Sequence, residues 1–372
     1  MSDVKNTNVP SMSVGAMTAL LSDMYATAAE RGVEFSSLPA VMLWGPPGVG
    51  KSQAVRAIAG EVGARTGRRA AVTDVRLLLF NPIDLRGIPT ANADKTLAVW
   101  LRPKIFDMDP SPRVVNFLFL DEISAAPTSV QAAAYQIALD RTVGEHRLPD
   151  NCIVVAAGNR VTDRSVAYKM PKALANRLLH IEVEGQLTSW REWAVSHGIH
   201  PLVTGFLAFR QNYLMVFEAN TDDLAFPTPR TWEMVSRVLS GYKDDVASVF
   251  PLIAGLIGTG VALEFRTFCK VYAELPDMED IFDGRPCPVP SETSALYALT
   301  AAMAAYAREH RTQLDRIAAS IRYANRLPSD FSAMLLRDYM YLEKGYREIL
   351  LKKVPDFANW LRAKGSLLNG AV

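Results

Sequence analysis

The run Gly45-Pro46-Pro47-Gly48-Val49-Gly50-Lys51-Ser52 fits GxxxxGK followed by Ser or Thr. Glycines at those places let backbone N–H groups wrap a polyphosphate, and a helix starting there adds partial positive charge. Lys51 then reaches the β- and γ-phosphates, the Ser52 hydroxyl serves as a Mg²⁺ ligand, and Gln53 completes the set expected to face the nucleotide. The alternative, a glycine-rich turn with an incidental Lys-Ser pair, does not account for the apolar run before it and the helical pattern after it.

A second constellation is Phe117-Leu-Phe-Leu-Asp121-Glu122, an apolar run ending in adjacent carboxylates. Open α/β sheets build their sites at such strand ends. Asp121 is suited to hold Mg²⁺ through water, and Glu122 to polarise the attacking water. A third apolar run, Ile153–Ala157, closes on Gly158-Asn159. If it neighbours the Asp121-Glu122 strand, the Asn159 amide can position that water. A turn-forming Gly-Asn pair is the alternative.

The elements that must position these groups alternate. Leu38–Trp44, Ala70–Leu77, Val114–Leu120, Ile153–Ala157 and Leu178–Val183 are apolar runs of strand length. Helical patterns such as Gln53–Val62 and Ser129–Asp140 lie between them. This predicts a P-loop three-layer αβα sandwich over residues 35–186, with a parallel five-stranded sheet. Residues 1–34 form an N-terminal helical segment, helical over 11–32. Beyond it, 187–270 is expected to be a helical lid and 271–372 its helical C-terminal extension. The expected helices are Thr188–Ser196, Pro201–Tyr213, Pro229–Tyr242, Asp245–Glu264, Glu292–Arg308 and Asp330–Lys353, with Leu275–Pro290 a connecting loop.

The length, 372 residues, implies two or three domains, and 49% hydrophobic against 21% charged residues excludes a mostly disordered chain. With 40 Lys+Arg and 39 Asp+Glu, nothing global favours a nucleic-acid or anionic-membrane partner. Cys152, Cys269 and Cys287 lack CxxC spacing, which points away from disulfides and thiolate zinc and toward the cytoplasm. The N-terminus has no basic n-region of a signal peptide. The longest uncharged apolar run, Val249–Leu263, is 15 residues, short of the roughly 18 to 20 a span needs.

Taken together, the motifs resemble AAA+ ATPases, and within them the MoxR group. Met170-Pro-Lys-Ala-Leu-Ala-Asn-Arg177 is similar to that family's arginine-finger segment, and Pro227-Thr-Pro-Arg230-Thr-Trp to the start of its lid helix. The resemblance implies ATP and Mg²⁺ as ligands and a hexameric homo-oligomeric ring. It also implies a protein client and a separate von Willebrand A domain partner, since no DxSxS site is present here. Arg177 becomes a transition-state finger into a neighbouring subunit, the alternative being an arginine that caps a helix end. Arg230 follows Thr228-Pro229, a good N-cap and N1 pair, and in a first turn it wants an anion. ATP or a local carboxylate would serve.

Asn81–Pro89 and Ala98–Pro103 read as a hairpin around Thr90–Thr96, resembling the insert in the second helix of MoxR-like proteins, with Arg102-Pro103-Lys104 in place of Pro-Gly-Pro. Thr142–Pro149 resembles the second hairpin. Both either line a pore or are surface hairpins. No Asn/Thr-Lys-x-Asp segment follows the phosphate loop, which favours adenine. His197-Gly-Ile-His200 lacks further ligands for a metal, and the amphipathic Tyr341–Val354 suits partner docking or lid packing rather than a membrane. Two other functions remain open on the sequence: a nucleic-acid-dependent motor, disfavoured by the neutral charge, and a nucleotide-gated scaffold without turnover, disfavoured by Glu122.

Overall fold

The computed structural model describes residues 9–160, 170, 172–216, 223–242 and 245–370. Residues 1–8 of the expected N-terminal segment and Pro171 of the Met170–Arg177 motif lie outside them. The chain divides into two compact units, the first running to Glu184 and the second starting at Gly185.

In chain order the first unit contains β1 (Ser11–Ser13), α1 (Val14–Glu30), β2 (Val41–Trp44), α2 (Lys51–Thr66), β3 (Arg69–Arg76) and α3 (Pro82–Arg86). Next come β4 (Ile88–Ala91), β5 (Ala98–Leu101), β6 (Val114–Asp121), α4 (Thr128–Asp140), β7 (Thr142–Val143) and β8 (His146–Arg147). It closes with β9 (Cys152–Gly158), α5 (Lys172–Ala175) and β10 (Leu179–Glu184). The main sheet has the order β1-β10-β2-β9-β6-β3, and every pairing in it is parallel.

β6 and β9 are buried along their length apart from Asp121, as central strands covered on both faces must be. On one face Leu118 and Leu120 of β6 pack with Val130, Ala134 and Ile137 of α4. On the other, Phe117 meets the ring of Tyr25 from α1 edge-on, with centroids 6.1 Å apart. The expected αβα arrangement is therefore present, with six strands rather than five.

The additional strand is β1, where helix was expected from residue 11. Ser11–Ser13 instead pair with Glu182–Glu184, and Pro10 O accepts from Glu182 N. The helix starts only at Val14, where Ser13 Oγ accepts from Ala16 N at 3.2 Å. Three residues at a sheet edge carry no periodicity of their own.

The two expected hairpins form. β4 pairs antiparallel with β5, and β7 with β8. They touch each other: His146 Nε2 lies 2.7 Å from Trp100 O. Gly144, at φ +58°, comes so close to the Arg86 carbonyl that a Cβ there would lie 2.6 Å from its oxygen.

The second unit is helical: α6 (Leu187–Ser196), α7 (Pro201–Phe209), α8 (Pro229–Gly241), α9 (Val246–Ile257), α10 (Thr259–Tyr272), α11 (Met278–Phe282) and α12 (Thr293–Glu309). These are followed by α13 (Leu314–Ala324), α14 (Ser329–Met340), α15 (Tyr346–Lys353), α16 (Pro355–Lys364) and α17 (Leu367–Gly370). Arg191 of α6 and Asp338 of α14, both buried, form a bidentate pair, with Nε 2.9 Å from Oδ1 and Nη2 2.6 Å from Oδ2.

Three expectations are corrected in this unit. The single helix expected over Asp245–Glu264 breaks at Gly258, whose φ of 83° and ψ of 147° are not helical. That over Asp330–Lys353 breaks between Met340 and Tyr346, with Gly345 at φ +82°. The Leu275–Pro290 loop contains the short α11, started by Asp277 capping Glu279 N at 2.7 Å. α13 and α16 were not among the expected helices.

Candidate nucleotide site

The phosphate-loop residues sit between β2 and α2, at the C-terminal end of the sheet. Gly45 N donates to Gly158 O at 3.3 Å, which ties the loop's start to the end of β9. A Cβ on Gly45 would lie 2.6 Å from Val183 O, so only glycine lets the chain leave β2 this close to β10. Gly48 and Gly50 have φ of +79° and +112°, conformations that side chains disfavour. Pro46, Pro47 and Val49 fill the turn between them, and Gln53 is exposed in the first turn of α2.

Lys51 is 8% exposed, and its ammonium is fully engaged: Nζ donates to Gly45 O at 2.6 Å, Pro46 O at 3.0 Å and Asn159 Oδ1 at 3.2 Å. Ser52 Oγ donates to Asp121 Oδ2 at 3.0 Å. Asp121 Oδ1 in turn accepts from Glu122 N at 2.9 Å. Five of the expected residues, Lys51, Ser52, Asp121, Glu122 and Asn159, thus converge at the adjoining ends of β2, β6 and β9.

Glu122 adopts φ +59°, a left-handed conformation that costs a non-glycine residue roughly 1–2 kcal/mol. The turn is held by Ala125 N and Ala126 N, which donate to Glu122 O at 3.0 and 3.2 Å. Backbone strain at the second carboxylate turns the chain sharply out of β6 while the Asp121 side chain stays with α2. No feature of the sequence announces it.

Ser124 was not singled out from the sequence. Its Oγ, in a residue 2% exposed, accepts from Asn159 N at 2.9 Å. A Cβ on Gly158 would lie 2.8 Å from that oxygen and 2.9 Å from Met42 Cε. A small hydroxyl two residues after Glu122 and a glycine before Asn159 are therefore one device, which sets where the Asn159 amide points.

Neither expected arginine bonds to these five among the described residues. Arg177, just past α5, is exposed, and its side chain has no hydrogen-bond or ion-pair partner among the described residues. Arg230 is exposed in the first turn of α8, in the second unit. The expected N-cap is present there: Thr228 Oγ1 accepts from Thr231 N at 3.1 Å, and Thr231 Oγ1 from Thr228 N at 2.7 Å. No carboxylate among the described residues pairs with Arg230. His200 Nδ1 accepts from Leu202 N at 3.2 Å as the N-cap of α7, and His197 stacks on Trp193 with centroids 4.7 Å apart.

Two neighbouring oxygens, one hydroxyl and one carboxylate, beside a glycine-lined loop suit a hard divalent cation carried by a polyphosphate. A buried lysine held by main-chain carbonyls can exchange them for phosphate oxygens. Glu122, with no side-chain partner among the described residues, can take a proton from water.

Residues 40–180 match the model of the ATPase family associated with various cellular activities (AAA). The chain is 31% identical over 143 residues to Chaperone MoxR1 of Mycobacterium tuberculosis. That match takes in 37% of this chain and 34% of the relative, so the chain spans about a third of that protein's length. Solved structures similar to it include a RuvB mutant from Thermotoga maritima, at 16% identity and TM-score 0.33, with 78% of this chain and 84% of that one covered. NtrX from Brucella abortus, in complex with ATP, stands at 14% identity and TM-score 0.33, with 90% and 68% covered. Over residues 40–180, then, the chain is similar to AAA ATPases, and to the MoxR chaperones among them.

Proposed function

We propose that this chain hydrolyses ATP as a subunit of a homo-oligomeric, hexameric ring in the cytoplasm. The ring would remodel or activate a protein client together with a separate von Willebrand A domain protein. The observation that carries the reading is the convergence of Lys51, Ser52, Asp121, Glu122 and Asn159 at adjoining strand ends. Lys51 gives up the Gly45 and Pro46 carbonyls for the β- and γ-phosphates. Ser52 and Asp121 would hold a magnesium ion carried by the nucleotide, which would supply charge neutralisation. Glu122 accepts the proton of a water oriented by Asn159. The water oxygen bonds to the γ-phosphorus, the bond to the β–γ bridging oxygen breaks, and ADP and phosphate result.

Arg177, exposed and without a side-chain partner among the described residues, is available to a neighbouring subunit's site as a finger. Residues 187–270 are assigned the part of the lid, with Arg230 as its ATP-sensing arginine, and 271–372 that of its extension. The hairpins suit a pore: Ile88, Leu97 and Leu101 on or beside β4 and β5 are about 60% exposed, the least polar way to meet an unfolded segment. Among the described residues no helix is long and apolar enough to cross a membrane.

Phosphate release from wild type and Glu122→Gln tests the hydrolysis. The variant should bind ATP and lose turnover by about 10²–10⁴-fold. Turnover equal to wild type would overturn the reading in favour of a nucleotide-gated scaffold. Affinity capture on Glu122→Gln in ATP, read by mass spectrometry, tests the client, and stimulation by DNA instead would replace it with a nucleic-acid motor.

A further inference from the structure

Trp44 is the last residue of β2 and directly precedes the phosphate loop. Its indole Nε1–H donates to Nδ1 of His180 on β10 at 2.9 Å. The other ring nitrogen of His180, Nε2, lies 2.7 Å from the carbonyl oxygen of Ala175. An indole N–H only donates and a carbonyl only accepts. The two neighbours therefore fix His180 as the neutral Nε2–H tautomer, accepting from Trp44 and donating to Ala175.

The Ala175 carbonyl also accepts from Leu178 N at 3.3 Å. It thus closes the turn Ala175–Leu178 that presents Arg177 to solvent. At the other end of the relay, Gly45 is packed so closely on β10 that a Cβ would lie 2.6 Å from Val183 O. β10 consequently meets the start of the phosphate loop at two places, through Val183 and through His180. A displacement of the loop reaches the Arg177 turn through one strand and two hydrogen bonds.

We infer that Trp44 and His180 are positioning residues that couple the nucleotide loop of a subunit to the presentation of its own Arg177. This deepens the proposed reading and rests on Arg177 acting in a neighbour's site. State at one nucleotide site would then set catalytic competence at the next, which is a route to ordered firing around a ring. Both side chains are engaged with each other and with the Ala175 carbonyl, so the effect belongs in kcat and not in binding.

The experiment compares ATP turnover of wild type, His180→Ala, Trp44→Phe, Arg177→Ala and the double variant His180→Ala/Arg177→Ala, with nucleotide affinity from a fluorescent ATP analogue. His180→Ala should lower kcat about 10-fold or more through misplacement of Arg177. KM and nucleotide affinity should stay within about twofold, and the change should cost nothing further in the Arg177→Ala background. Trp44→Phe keeps the ring's bulk, removes only the donor, and should act in the same direction. In a ¹⁵N-histidine spectrum, where the chain contributes only 5 histidines, His180 should show the Nε2–H tautomer, and Trp44→Phe should perturb it. If Arg177→Ala loses turnover while His180→Ala and Trp44→Phe match wild type, the relay is refuted and the finger stands. A loss in His180→Ala that adds in full to that of Arg177→Ala would mean general destabilisation, and also overturns it. Full turnover in Arg177→Ala overturns the finger and the relay together.

Discussion

Ser52 and Asp121 share one hydrogen bond, Oγ to Oδ2 at 3.0 Å, which joins the first turn of α2 to the end of β6. The two oxygens proposed to serve one cation are thus already gathered before it arrives. Preorganisation of this kind lowers the cost of binding, since neither side chain has to be ordered afterwards. Asp121→Asn keeps the shape and removes the charge. Its magnesium requirement, read as the concentration giving half-maximal turnover, should rise about 10–100-fold. An unchanged magnesium titration would remove Asp121 from the cation's surroundings.

The contact between Ser124 and Asn159 gives a steric prediction. Gly158→Ala drives a methyl to 2.8 Å from Ser124 Oγ and 2.9 Å from Met42 Cε. Ser124 must yield, and with it the hydrogen bond to Asn159 N. The variant should lose about 1–3 kcal/mol in urea unfolding, as overpacked cores do, and should also lose turnover. Adding Ser124→Ala should recover part of the stability and none of the turnover. Recovery of both would show that Ser124 relieves packing only.

How much of this was legible beforehand depends on range. Gly45–Ser52 and Asp121-Glu122 are local patterns whose chemistry is written in residue type and spacing. The apolar runs of β6 and β9 are long enough to declare buried parallel strands. β1 was not legible, because three residues acquire strand geometry only by pairing with β10. Nor was the break at Gly258, since an isolated glycine inside an apolar helical pattern is compatible with either outcome. Ser124 gains its place only when β6 and β9 lie side by side. The left-handed backbone of Glu122 likewise depends on contacts that no local window contains.

Arg141 is a buried cation satisfied by carbonyls alone. Its guanidinium donates to Cys152 O at 2.7 Å, Leu38 O at 2.8 Å and Phe35 O at 3.3 Å. It thereby fastens the end of α4, and the β7–β8 hairpin that follows, to β9 and to the segment before β2. Arg141→Met keeps much of the bulk and abandons three acceptors. A loss of about 2–4 kcal/mol in unfolding is expected, as for hydrogen bonds to a charged group. A cost below about 0.5 kcal/mol, the range of ordinary surface substitutions, would mean water replaces the guanidinium without penalty.

Beside Arg141, burial pushes the Cys152 thiol up to about 12, with the arginine's charge pulling it partly back. The thiolate is the reactive species, so Cys152 should resist alkylation in the native protein near neutral pH. Cys287 is also buried, whereas Cys269 is half-exposed. Mass spectrometry after brief treatment with iodoacetamide should find Cys269 labelled first, and all three only after denaturation. Early labelling of Cys152 would show that β9 opens readily.

Five buried or half-buried tyrosines set the alkaline limit of stability. Burial raises Tyr135, Tyr323 and Tyr346 to about 12, and raises Tyr25 and Tyr339 further still. In the unfolded chain a phenol ionises near 10. Above that pH the unfolded state therefore binds fewer protons than the folded one, and stability must fall as pH rises. The contribution is whole below about pH 10 and is lost progressively as pH climbs toward the folded values. Urea midpoints should thus drop between about pH 10 and 12. Of the 12 tyrosines in the chain, these five should ionise only together with the loss of helical circular dichroism. Tyrosinate absorbance that completes near the unperturbed phenol value of about 10, with the fold intact, would show that the rings are solvated and carry no such linkage.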